Sequence, residues 1–156
     1  MDVRVICVGK RMPAWVDTAV DEFARRFSHP IRFEIISTAT AKRTRADHPS
    51  VYMDIEGKAL LSHVKDGDWV VALDVDGKMR STEQLAQWLD QKLLDARPLA
   101  FLIGGPDGLS NDCRARANEL WSLSKLTLPH GLARVVVVEA LYRANSLRCG
   151  HPYHRA

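Results

Sequence analysis

Two short stretches of this chain hold residue types that can seat a small ligand. In the first, FLIGGPDG, an apolar run from Phe101 leads into a turn containing Gly104, Gly105 and Gly108. Glycine lets the main chain approach a ligand where a side chain would block it. In the second, Leu123, Ser124, Lys125, Leu126, Thr127 and Leu128 alternate ahead of Pro129-His130, as in a short extended segment whose backbone groups remain available. Between the two lies one short helix, with Ser110 placed to cap it. Asp107, Asn111 and Asp112 carry oxygen ligands but read as turn and helix-start residues, so no metal is expected. Ser122 and Ser124 lack the G-x-S-x-G elbow and any triad order, which argues against nucleophilic catalysis. Neither G-x-G-x-x-G nor GxxxxGK[ST] occurs, which disfavours a dinucleotide site and a phosphate-cradling loop.

Charge narrows the partner. The formal net charge is +3 over 156 residues, yet residues 1–129 balance at 18 basic against 18 acidic side chains. The excess lies in residues 130–156, where Arg134, Arg143, Arg148 and Arg155 face Glu139 alone. His130, His151 and His154 fall in the same stretch. Clustered cations suit a polyanion better than uniform basicity does. Cys7, Cys113 and Cys149 are an odd number without metal-ligand spacing, so each reads as a small buried apolar residue of a reduced protein. No apolar run approaches the roughly 20 residues that span a bilayer, and no leader pattern opens the chain, so a cytoplasmic location is expected.

The elements that position these stretches follow from periodicity. Val3 to Val8 reads as a strand, and Pro13 opens a helix to about Phe27 with Trp15, Ala19, Phe23 and Phe27 on its core face. Arg32 to Ser37 alternates as a strand. Thr38 to Pro49 is polar and basic, which predicts a mobile loop or a secondary RNA contact. Val51, Ile55, Ala59 and Leu60 mark a second helix over Ser50 to His63. Asp68 to Leu73 is an apolar strand of the doubly buried kind, followed by a turn at Asp76-Gly77. Ser81 caps a third helix carrying Leu85, Trp88, Leu89 and Leu93. Leu99 to Ile103 is the next strand. Ala133 to Leu147 mixes strand and helix preferences and is assigned as a helix, with Glu139 and Arg143 one turn apart. Alternating strands and helices predict one domain over residues 1–156: an α/β sheet, mostly parallel, with helices on both faces. Ligands of such sheets gather at the carboxyl ends of strands, where Leu73-Asp74 and Gly104-Gly105 stand.

Four motifs in this order, LIGGPDGLS, WSLSKLTLPH, RVVVVEALYRA and HPYHR, resemble the ribosomal large subunit methyltransferase H family of the SPOUT superfamily. The resemblance extends to VGK-RMPAWV, EFARRF and a basic segment at Ala41-Lys42-Arg43, where a glycine is common at position 41. It therefore covers essentially the whole chain. It implies a C-terminal trefoil knot, a homodimer, and S-adenosylmethionine as methyl donor to N3 of a pseudouridine in the helix 69 loop of 23S ribosomal RNA, on assembled ribosomes. The cofactor positions it implies are Leu73, Gly104 and Leu123 to Leu128, with Gly105 and Pro129 adjacent.

A sulfonium methyl is already activated, so such an enzyme must align donor and acceptor and remove the N3 proton. The resemblance brings the tail close to the cofactor loops. His151 or His154 is then expected to assist deprotonation or orient the base, Tyr153 to stack, and Arg134, Arg143 and Arg155 to hold phosphate. An RNA-binding protein that keeps the cofactor fold without methylating is the alternative of a different class. An α/β hydrolase lacks any nucleophile signature here.

Overall fold

The computed structural model describes residues 1–155. Among them five strands alternate with five helices: β1 (Asp2–Val8), α1 (Ala14–Ala24), β2 (Arg32–Thr38), α2 (Pro49–Leu61), β3 (Trp69–Lys78), α3 (Thr82–Asp95), β4 (Leu99–Ile103), α4 (Asn111–Arg116), β5 (Glu119–Trp121) and α5 (His130–Arg148). The strands form one sheet in the order β2-β1-β4-β3-β5, every pair parallel. Central β1 and β4 are apolar along nearly their whole length because both faces are covered. Val5, Cys7, Phe101 and Ile103 pack beneath α1, α3 and α5, while Ile6, Val8, Ala100 and Leu102 pack beneath α2 and α4.

Local chemistry sets the helix starts. Ser81 Oγ accepts from Gln84 N and the Gln84 side chain accepts from Ser81 N, a complete capping box. Ser110 Oγ accepts from Cys113 N at the start of α4. The mixed segment after Gly131 is helical throughout, and Val137, Val138 and Leu141 face the core.

Several expectations need correction. Trp15 is 56% exposed, and α1 buries Val16 and Val20 instead. A four-residue step turns about 400°, so a stripe spaced strictly by four winds around the helix and cannot stay on one face. In α2, Val51 and Ile55 are exposed while Tyr52, Glu56, Gly57 and Leu60 are buried. Gly57 permits the close approach of α4: a β-carbon there would stand 2.2 Å from Ser110 Oγ. Cys7 and Cys113 are buried, but Cys149 is exposed.

The expected turn at Asp76-Gly77 is a bulge within β3. Leu73 and Lys78 both pair with Trp121, so Asp74 to Gly77 loop out between them. Gly77 is required there because a β-carbon would stand 2.4 Å from the Trp121 carbonyl carbon. The segment after β2 lacks regular structure but is pinned. Arg43 reaches Glu56 and Asp107, and the Tyr52 hydroxyl donates to Thr44 O while accepting from Thr44 N. No helix of the described residues is long and apolar enough to cross a membrane.

Candidate functional site

A cleft of about 580 Å³ opens at the carboxyl ends of β3, β4 and β5. Leu73, Gly104, Gly105, Leu123, Ser124, Leu126, Thr127 and Leu128 all line it, whereas Lys125 lies in the same loop but outside the lining. One wall is the glycine turn after β4. Gly104 must be glycine, since a β-carbon would stand 2.5 Å from the Gly108 carbonyl carbon; Gly108 itself has φ +91°. Gly108 N donates to Gly105 O at 3.0 Å and closes the turn.

The opposite wall is the segment between β5 and α5, which bends and is not extended. Ser122 N donates to Lys78 O, Ser122 Oγ donates to Ser124 O, and Leu126 N donates to Ser124 Oγ. Among the described residues, the N–H groups of Leu123, Lys125, Thr127 and Leu128 make no hydrogen bond. Backbone donors rarely stay unpaired unless solvent or a ligand serves them. Apolar walls with free amides suit a small ligand that combines apolar surface with hydrogen-bonding groups.

Charged groups at this cleft were not singled out by spacing alone. Asp74 is buried and pairs with Arg114 Nη2 at 2.9 Å, and its Oδ1 also accepts from Asp76 N. His130, the first residue of α5, lines the cleft, and its ring makes no hydrogen bond among the described residues. Burial and then the Arg134 cation hold its pKa below the ordinary histidine value, with Glu56 opposing. His130 is therefore neutral at neutral pH. The proline before it was the only sequence signal that α5 begins at the cleft.

Trp121 is fixed from behind by Glu119. The carboxylate accepts from the indoles of Trp69 (3.0 Å), Trp88 (2.8 Å) and Trp121 (3.1 Å) and pairs with Arg80. Burial raises the Glu119 pKa, but the Trp121, Trp88 and Arg80 donors outweigh it and hold the carboxyl below its usual range. Hydropathy has no means of anticipating an acidic residue that gathers three indoles.

The C-terminal tail lies elsewhere. None of His151, Tyr153 and His154 lines the cleft. The helix α5 carries the chain roughly 27 Å from the cleft at 1.5 Å per residue, and the chain then reverses at Gly150 (φ +67°). Tyr153 OH donates to Glu139 Oε1 at 3.0 Å, and its ring packs edge-on against Tyr142. His154 Nε2 stands 3.8 Å from Glu83, and His151 is exposed. The expected closeness of the tail to the cofactor loops therefore does not hold within one chain.

The three arginines differ from one another. Arg134, expected to hold phosphate, is 3% exposed and turned into the fold: its Nη1 donates to Ser37 Oγ and its Nη2 to Val8 O and Gly9 O, while its buried Nε has no partner among the described residues. Arg143 pairs with Glu139 and covers the Tyr153 ring at 4.8 Å. Arg155 is exposed. No group of three or more His, Cys, Asp or Glu among the described residues is placed to hold a metal.

Comparison with known proteins agrees with this architecture. Residues 1–154 match the family model described as predicted SPOUT methyltransferase. A protein of Hahella chejuensis (strain KCTC 2396), ribosomal RNA large subunit methyltransferase H, is 44% identical over 155 residues, 99% of each chain. With the parallel sheet and the cleft at its carboxyl ends, these matches place the chain in the SPOUT methyltransferase family.

Proposed function

We propose that this protein is a cytoplasmic 23S ribosomal RNA methyltransferase that uses S-adenosylmethionine to methylate N3 of a pseudouridine in the helix 69 loop of assembled ribosomes. The observation that carries this is the 44% identity over 99% of both chains to ribosomal RNA large subunit methyltransferase H. The cleft fits the cofactor: Leu73, Leu126 and Leu128 supply apolar contact, while Gly104, Gly105 and the free amides between Leu123 and Leu128 serve its polar edges. The proposed trefoil knot would be formed by the segments on either side of α4, which supply both walls.

The bound cofactor supplies an activated methyl group. The chain's part is to exclude water, align the acceptor and provide for the N3 proton. We assign His151 or His154 to that proton or to orienting the base, Tyr153 to stacking, and Arg143 and Arg155 to phosphate. Since no described tail residue lines the cleft of its own chain, we assign these side chains to the second subunit of a homodimer.

Mapping modified nucleotides in 23S RNA from a strain lacking the protein, with and without complementation, tests the reaction. Loss and return of one methyl in the helix 69 loop is the expected result. Calorimetry with S-adenosylmethionine tests the site, and absence of heat and of competition by S-adenosylhomocysteine would leave a pure RNA-binding protein. Full single-turnover methylation by both His151→Ala and His154→Ala would remove the tail from proton transfer.

A further inference from the structure

The loops after β1 and β2 lie side by side at the same end of the sheet as the cleft, joined where Gly9 N donates to Thr38 O at 2.8 Å. The first holds Lys10 and Arg11; the second holds Lys42, Arg43 and Arg45, with Asp47 as its one carboxylate. Arg43 is used internally. Its Nη1 donates to Glu56 Oε1 at 2.9 Å and Ala41 O at 3.0 Å, its Nη2 donates to Asp107 Oδ2 at 2.8 Å, and its guanidinium covers the Tyr52 ring at 5.0 Å. Asp107 stands on the lip of the cleft and Glu56 is 1% exposed, so one arginine fastens the irregular loop to the buried core and to the glycine turn at once. What the two loops present is charge: Lys10, Arg11, Lys42 and Arg45 are exposed and make no hydrogen bond or ion pair among the described residues. Asp47 is engaged by Thr44 Oγ1.

We propose that Lys10, Arg11, Lys42 and Arg45 form a phosphate-binding rim that seats the RNA backbone beside the cleft, with Arg43 as the positioning residue that holds the rim in register with the glycine turn. This rests on the reading of the protein as a ribosomal RNA methyltransferase. It adds a contact surface supplied by the same chain that carries the cleft, distinct from the basic tail. A rim of unpaired cations on a rigid support fits a polyanion with repeated phosphates. Such contacts release counterions and so make binding salt-dependent, by about 0.7–0.9 in log–log slope per phosphate contact.

The test is cosedimentation of the full-length protein with purified ribosomes over a series of potassium chloride concentrations, with S-adenosylmethionine calorimetry on the same preparations. Lys10→Ala/Arg11→Ala and Lys42→Ala/Arg45→Ala should each lower ribosome affinity and reduce the salt slope by roughly 1.4–1.8, for two lost contacts, while cofactor affinity stays within twofold. Arg43→Lys, which keeps the charge but not the two-sided bridge, should weaken ribosome binding several-fold at an unchanged slope. Wild-type slopes in both double variants would overturn the rim, and wild-type ribosome affinity in Arg43→Lys would overturn the positioning role. Variants that turn monomeric in sedimentation would make the surface an interface between copies and overturn it as well. A wild-type protein that binds neither ribosome nor cofactor sinks the underlying function; cofactor binding with unaltered variant slopes sinks the rim alone.

Discussion

Gly105 sits against Glu56: a β-carbon at position 105 would stand 2.7 Å from Glu56 Oε2 and 3.0 Å from Val8 Cγ1. Glu56 cannot swing away, because its other oxygen accepts from Ala41 N and Arg43. Gly105→Ala should therefore destabilise the fold by about 1–3 kcal/mol through overpacking. Gly104→Ala should cost more, since the atom it meets is backbone at 2.5 Å and the whole turn must shift. Urea midpoints rank the two, and calorimetry with S-adenosylmethionine should show the larger loss for Gly104→Ala. The reverse order would mean that the turn is compliant.

Glu119→Ala removes the common acceptor of three indoles and Arg80. Leaving these partly buried donors without a partner should cost roughly 2–4 kcal/mol. Because the folded Glu119 pKa lies below the unfolded value, its contribution is present above the ordinary carboxylate pKa and is lost as pH falls through the folded one. Acid titration followed by tryptophan fluorescence should show that loss in the wild type and a smaller pH dependence in Glu119→Gln. Superimposable acid curves would remove Glu119 as a determinant.

Arg134→Ala should destabilise by roughly 1–3 kcal/mol, because it strands Val8 O and Gly9 O at the junction of β1 and α5. It should leave the salt slope of ribosome binding unchanged. A reduced slope would restore Arg134 to the RNA surface.

His130 should titrate below its ordinary value of 6.5, as read by its imidazole resonances in a carbon–proton spectrum. A depressed folded pKa makes the unfolded chain bind more protons. Any contribution of His130 to stability is therefore full above pH 6.5 and declines as pH falls toward the folded value. A midpoint at or above 6.5 would show that the cleft does not desolvate this ring.

Much of this architecture was legible because parallel strands buried on both faces are written as apolar runs, and Leu99 to Ile103 has the same ends in sequence and structure. Ser81 and Ser110 were legible as caps for a local reason, a hydroxyl ahead of the first turn. Leu73, Gly104 and the 123–128 loop proved to surround one cleft, Lys125 apart. What escaped were interactions that depend on partners distant in sequence. Glu56 is an acid made buriable by Ala41 and Arg43, and Arg134 is a cation consumed by carbonyls at the far end of the chain. The tail's position depended on a reversal after α5 that fixed Tyr153 to Glu139, well along the helix from the cleft.

The strand β4 is wedged between β1 and β3, with Val3 and Trp69 both in register with Leu99. As the chain is synthesised, its first strand can pair with β2 but stays uncovered along its other edge until β4 is made. Such long-range parallel pairing is slow and leaves adhesive edges exposed meanwhile. The protein should therefore depend on early chaperone protection. It should also tolerate being split only where both fragments are supplied together, since a break anywhere between β1 and β4 leaves neither piece with the complete sheet.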